Sequence, residues 1–217
     1  MGLDWHPLGK AKPGREAEFD KLYKKILYAF RDPEALWKKL QELAVSPYET
    51  LRAPRVGFDA DSDRWSAERF SKRPEKQLSV SECEWGQMFH GYYVLDLVLP
   101  NDGIPIYSNG GAGGYCEAFS FRAQFLKDCR DVLGEDLLGE GWVHHTAVEL
   151  KDYGTRLRAG VASFADRAGV TEVLGRRDRP DWLSDWQHPA SKAHIMDSAA
   201  RWCLFWSERG HGLIADF

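Results

Sequence analysis

The sequence contains no apolar run approaching the ~20 residues that a membrane-spanning helix requires, so a membrane protein is not expected. It has no Cys-x-x-Cys pair. Its four cysteines, Cys83, Cys116, Cys129 and Cys203, are dispersed. That spacing suits neither a disulfide scaffold nor a structural zinc site, and free thiols in a reducing compartment are expected. Positive charge is not in excess either: 29 Lys and Arg stand against 33 Asp and Glu, a formal net charge of −4. A duplex-binding domain normally carries a basic footprint. Here acid interrupts even the basic stretch Arg176-Arg177-Asp178-Arg179, and nucleic acid is not the expected partner. The amino terminus lacks the basic-then-apolar pattern of a secretory signal, and His6 stands where a myristoylation motif wants Ser or Thr. These absences together point to the cytoplasm.

What the sequence does contain is an ordinary globular balance, 43% hydrophobic and 29% charged, over 217 residues. That length supports one hydrophobic core, and a single domain spanning residues 1–217 is expected. Aromatics reach 13%, with nine Trp. Trp is too large to be buried in full everywhere, so some rings are expected at a surface or pocket.

Helical signals dominate. Phe19, Leu22, Tyr23, Ile26, Leu27 and Phe30 follow the spacing that gathers residues on one helix face. Asp32 and Pro33 suit the start of a second helix, striped by Leu36, Leu40 and Leu43. Phe121, Phe125, Cys129, Val132 and Leu133 form a third stripe, stopped by Gly134. Thr146 and Glu149 make a capping box for a long helix buried through Leu150, Tyr153, Leu157, Val161, Phe164 and Ala168, with Gly169 to close it. The last helix runs from near Ser191 to Arg209 and stops at Gly210. Its wide apolar face predicts a central helix contacted on more than one side. Residues 80–97 favour helix, although 92–99 also fit a strand. Short strands are expected at 104–107 and 213–217, and long irregular stretches at 46–63 and 175–189. The fold class is therefore mainly α, a compact multi-helix domain with one or two short β pairings; α+β is the alternative.

The chemical motifs are incomplete. The Gly-rich run Ser108-Asn109-Gly110-Gly111-Ala112-Gly113-Gly114 precedes a helix, where backbone N–H groups can bind an anion. It lacks the Gly-Lys-Ser/Thr of a P-loop, and Cys116 occupies the place of the third dinucleotide glycine. A flexible connection is the plainer reading. Cys116 would sit at a helix start, where the dipole lowers a thiol pKa. Its surroundings, Gly114-Tyr115-Cys116-Glu117-Ala118-Phe119-Ser120, resemble the nucleophile segment of papain-type proteases over seven residues. The family's earlier Cys is Gly113 here, its following Trp is Glu117, and its oxyanion Gln falls at Gly110. The resemblance therefore implies no protease. Asp59-Ala60-Asp61-Ser62-Asp63 opens like a calcium loop, but Arg64 replaces the required Gly and Phe70 the final Glu. A capped helix start carrying Trp65 and Phe70 explains it better. His188, His194, Cys203 and His211 match no zinc spacing, and His194 and His211 read as local hydrogen-bonders. Neither metal nor cofactor is expected.

There remains a set of polar residues beside aromatics: Asp4, Trp5, Tyr48, Arg55, His90, Tyr93, Asn109, Arg122, Trp206 and His211, with Asp96 near them. Aromatic walls with a few polar groups describe a small-ligand pocket, a protein interface or simply a core with satisfied polar tips. The leading expectation is a cytosolic binding protein that takes a protein partner or small ligand through an aromatic-rich surface or pocket. The alternative is an enzyme using His90 with nearby acids and tyrosines, or a Cys116 nucleophile.

Overall fold

The computed structural model describes residues 2–27, 33–94, 97–98, 120–176, 185 and 187–216. Its elements run β1 (Asp4–Leu8), β2 (Lys10–Ala11), α1 (Glu16–Leu27), α2 (Pro33–Glu42), β3 (Ala44–Val45), α3 (Pro47–Thr50), α4 (Ala60–Ser71) and α5 (Glu82–Phe89). They continue through a 3-10 segment (Ala123–Cys129), α6 (Arg130–Glu140), α7 (Ala147–Ala168), α8 (Pro189–Glu208) and β4 (Gly212–Asp216). The protein is mainly α with a few short β pairings. No helix among the described residues is long and apolar enough to cross a membrane. The chain divides into two compact units, Met1–Pro47 with Asp102–Phe217, and Tyr48–Asn101.

The larger unit is organised by α7 and α8. The Thr146 hydroxyl accepts from the Glu149 N–H while the Glu149 carboxylate accepts from the Thr146 N–H, so two otherwise orphaned donors at the α7 start are satisfied. Gly169 ends α7 in the left-handed region. Leu150, Tyr153, Leu157, Val161 and Ala165 form its buried face. Gly154 lets α8 approach closely, since a Cβ there would lie 2.8 Å from the Cys203 Cβ. Every residue of α8 from Ala190 to Ala200 is buried. Enclosure favours internal partners for its polar side chains, although the Ser191 hydroxyl and the Trp202 indole N–H have none among the described residues. Lys192 pairs with Asp131 at 2.8 Å, the Asp197 carboxylate accepts from the Gly175 N–H at 2.9 Å, and the Ser198 hydroxyl donates to the His194 carbonyl. Cys129 and Cys203 are buried thiols. Burial pushes the Cys129 thiol well up.

β1 and β4 pair antiparallel from Asp4↔Asp216 to Leu8↔Gly212. Trp5 on β1 is fully buried, bonded through its backbone to Phe121 and through its indole N–H to the Gly141 carbonyl at 2.7 Å. Its ring meets those of Phe121, Tyr153 and Trp202 at 4.9–5.9 Å. A second cluster gathers Leu8, Phe19, Tyr23, Ile26, Leu40 and Leu43, with Leu22 and Leu36 partly buried against it; Leu27, expected on the same face of α1, is exposed, and Phe30 lies outside the described residues.

The smaller unit holds α4 and α5. Ser81 and Glu84 form a capping box at the start of α5, and the Trp85 indole donates to the Ser66 carbonyl on α4 at 3.0 Å. Helix α5 stops at Phe89 because Gly91 takes φ +83°, a region that a side chain disfavours. The chain then runs extended, and Tyr93 bridges Arg55.

Several sequence expectations need revision. Residues 80–97 are helical only from Glu82 to Phe89. The stripe from Phe121 to Leu133 is not one helix: Phe121 joins the β1 ladder, Ala123–Cys129 is 3-10, and Gly134 (φ 70°, ψ 173°) interrupts α6 without ending it. Stretch 46–63 contains α3 and the start of α4. Strand β1 has no counterpart in the sequence reading. The Asp32 cap and the strand at 104–107 fall outside the described residues.

Candidate functional site

Five of the sequence-selected residues lie in the larger unit. Asp4 and His211 sit at opposite ends of the β1–β4 ladder: Asp4 pairs with Asp216, while His211 immediately precedes Gly212, the partner of Leu8. Trp5, Trp206 and His211 have no solvent exposure. The His211 ring meets Trp206 edge-on at 5.3 Å and bonds through Nδ1 to the Leu8 carbonyl at 2.8 Å. That partner lies 203 positions away, so His211 is a long-range tie rather than a local one. Burial lowers its pKa to about 4, and the imidazole is neutral at pH 7. Arg122 is half-buried at the start of the 3-10 segment. These residues build core and ladder. Asn109, Cys116 and Asp96 lie outside the described residues.

The other four come together in the smaller unit. The Tyr48 and Tyr93 rings stack at 4.9 Å, 11° from parallel. The Arg55 guanidinium lies over both Phe58 (4.5 Å) and Tyr93 (5.2 Å), and its Nε–H donates to the Gly91 carbonyl at 2.9 Å. The His90 ring packs against Phe58 at 5.4 Å and covers Gly57, where a Cβ would overlap it. The acidic run works locally: Asp59 accepts from the Arg55 N–H at 2.7 Å and Asp63 from the Gly57 N–H at 2.6 Å. Asp59 occupies the position before α4 without a side-chain cap bond. These carboxylates pin the 55–59 loop on which Arg55 and Phe58 are mounted.

Beyond that group the aromatics continue. Tyr92 stacks on Trp65 at 5.9 Å, Trp65 meets Phe89 edge-on at 5.9 Å, and Phe89 meets Trp85 at 4.8 Å. Arg69 lies over Trp65 at 4.3 Å and Arg73 over Phe70 at 4.0 Å. Between α4, the turn that follows it and α5 is an open groove of about 490 Å³ lined by Trp65, Trp85, Phe89 and basic side chains. Sequence reasoning missed this groove, yet its signal was present. Trp65 and Arg69 are four apart and Phe70 and Arg73 three apart, the spacings at which side chains on a helical surface meet.

Exposure separates the units further. Eight large hydrophobic residues are exposed among the described residues: Leu27, Val143 and Val148 in the larger unit, and Phe58, Leu78, Met88, Tyr92 and Leu97 in the smaller. Phe58 is 63% exposed, Met88 61% and Tyr92 52%. Five of the eight thus fall within the 54 positions (48–101) of the smaller unit. Among the described residues, no three His, Cys, Asp or Glu side chains gather as metal ligands would. Comparison with family models, with curated proteins and with solved structures finds no match to this chain.

Proposed function

We propose that this is a binding protein of the cytoplasm, and that the smaller unit carries the face through which it holds a protein partner. The observation that supports this reading is the exposure of Phe58, Met88 and Tyr92 on the smaller unit, with Arg55 over Phe58 and Arg69 over Trp65, the ring on which Tyr92 stacks. Tyr, Trp and Arg dominate the energetics of protein interfaces because each offers large contact area together with a polar handle. Rings held against neighbouring rings lose little further freedom on binding, which lowers the cost of association.

The test compares capture of partners from host extract by the wild type, by a Phe58→Ser/Tyr92→Ser double variant, and by a control. The control is Val148→Ser, at an 80% exposed site on α7. Quantitative mass spectrometry should find a partner retained by wild type and control but lost from the double variant, with the double variant still folded. Equal capture by all three removes the smaller unit from consideration.

A further inference from the structure

Helices α1 and α2 form a hairpin on the larger unit. Strands β2 and β3 pair Lys10 with Val45 and Ala11 with Ala44, which holds the start of α1 beside the end of α2. The Lys12 N–H extends that contact to the Leu43 carbonyl at 2.8 Å. The two helices send Phe19, Tyr23, Ile26 and Leu40 into the core cluster, and between them lies an open groove of about 530 Å³. Its apolar lining is Leu22, Leu36 and Leu43, of which Leu22 and Leu36 are only partly buried. Its rim is exposed and carries four cations against two acids, on a chain whose formal net charge is −4. One cation is already used, since the Arg15 Nε–H donates to the Glu18 carboxylate at 2.8 Å. Lys21, Lys25 and Lys39 remain, with Glu42 as the other acid, and none of the three ammonium groups forms an ion pair with a described residue.

The helix dipole favours cations in a last turn, where Lys25 and Lys39 stand, but its effect does not extend beyond that turn. It leaves Lys21 unexplained. Lys21 and Lys25 are also four apart, the spacing at which like charges oppose each other on a helix. Because the helices run antiparallel, the three lysines are spread along the groove rather than gathered at one end. A cleft lined by one sign of charge attracts the opposite sign.

We infer that the α1–α2 groove docks an acidic amphipathic helix of a partner protein, with its apolar stripe on Leu22, Leu36 and Leu43 and its carboxylates on Lys21, Lys25 and Lys39. The site belongs to the larger unit and stands independently of the face proposed on the smaller one. A helix fits the dimensions. At 1.5 Å per residue, α1 and α2 are about 18 and 15 Å long, and a third helix of similar length lies in such a groove as helices pack in bundles. A small ligand is normally enclosed over most of its surface, which this exposed rim does not provide. A nucleic acid strand binds by stacking bases on rings, and no aromatic residue lines the groove. An anionic bilayer takes up apolar side chains that project outward, whereas Leu43 is buried and Leu22 and Leu36 are partly so.

The experiment titrates fluorescently labelled peptides with the full chain and follows anisotropy. The main probe is a peptide about four turns long with Leu on one helical face and Glu on its flanks. Two controls are the same composition scrambled to destroy the apolar face, and the same design with Lys for every Glu. The acidic amphipathic peptide should saturate, and its affinity should fall steeply as NaCl rises from about 0.05 to about 0.5 M. Lys21→Gln/Lys25→Gln should bind it about tenfold more weakly. Lys21→Arg/Lys25→Arg should bind near wild-type strength, and so should Lys151→Gln, which removes an exposed lysine from α7. Far-ultraviolet circular dichroism and thermal melts establish that each variant is folded. The inference is overturned if the acidic peptide fails to saturate, if either control peptide binds equally well, or if the folded Gln double variant binds unchanged. It is overturned likewise if phosphatidylserine vesicles displace the peptide, which makes the groove a membrane site. Sedimentation supplies the last outcome: self-association of the wild type that the Gln double variant abolishes makes a second copy of the chain the occupant, and the partner helix is then excluded.

Discussion

The two units use the same residue types in opposite ways. In the larger one, Trp5, Trp202 and Trp206 are fully buried, and the Trp5 indole N–H is satisfied by the Gly141 carbonyl. Lys192 and Asp197, the buried charged residues of α8, pair with Asp131 and with the Gly175 N–H. In the smaller unit, Phe58 and Tyr92 are exposed, and Arg55, Arg69 and Arg73 lie on ring faces. A Trp or an Arg in a sequence therefore says little about function by itself. What discriminates is whether the ring is enclosed or open to solvent: Trp5, Trp202 and Trp206 are enclosed, whereas Phe58 and Tyr92 are exposed. The enclosed rings stabilise the fold. The exposed ones leave apolar surface accessible.

Truncating a ring in each unit separates their two uses of aromatic residues. Trp5→Ala removes a side chain packed against three other rings and leaves the Gly141 carbonyl without its donor. It should cost about 3–5 kcal/mol, the range for emptying a large aromatic site in a core. Chemical denaturation measures this directly. A loss below about 1 kcal/mol would show that Trp5 does not anchor the larger unit.

A smaller, pH-dependent effect belongs to His211. Its pKa is about 4 in the folded chain, below the ~6.5 of an unperturbed imidazole. The unfolded state therefore binds the proton more readily. The associated stability is fully present above about pH 6.5 and is lost as pH falls toward about 4, by up to roughly 3 kcal/mol. His144, also depressed by burial, acts in the same direction. Melting temperatures measured across that window should drop, and His211→Asn should flatten the drop while lowering stability at pH 7. A wild-type profile flat from pH 7 to pH 4.5 would contradict the assignment.

How much of this was legible in the sequence depends on the range of the interactions. The α7 cap is a four-residue signal, Thr146 to Glu149, and Gly169 and Gly210 mark helix ends locally; all three were readable. Strand β1 was not. It has five residues, includes Pro7, and is defined by pairing with residues some 200 positions away. The same distance explains why His211 looked like a local bonder. Helix α5 fell between: Ser81 and Glu84 mark its start, but its end at Phe89 is set by Gly91 and by the bridge from Tyr93 back to Arg55. For the candidate site, type and position were readable and burial was not. Tyr48, Arg55, His90 and Tyr93 gather in the smaller unit. Trp5, Trp206 and His211, chosen on the same grounds, lie in the interior of the larger one. Alternation within β1 puts Trp5 on a buried side, but that inference needs the strand first.

The exposed rings and thioethers of the smaller unit should contribute least to stability. Phe58→Ser and Met88→Ser each remove an apolar side chain that is more than 60% exposed. Surface substitutions away from caps and networks normally change stability by no more than about 0.5 kcal/mol. Met88→Ser should stay within that band. Phe58→Ser should reach its upper edge, because Phe58 also carries Arg55 at 4.5 Å and packs on His90, and exposed cation–π contacts contribute about 0.5–1 kcal/mol. Both variants should also be more soluble than the wild type, since each removes exposed apolar surface. If Phe58→Ser instead costs as much as Trp5→Ala, the ring is part of a core and the smaller unit has no separate binding face. If denaturation midpoints barely move and solubility rises, Phe58 and Met88 stand at the surface for something other than folding.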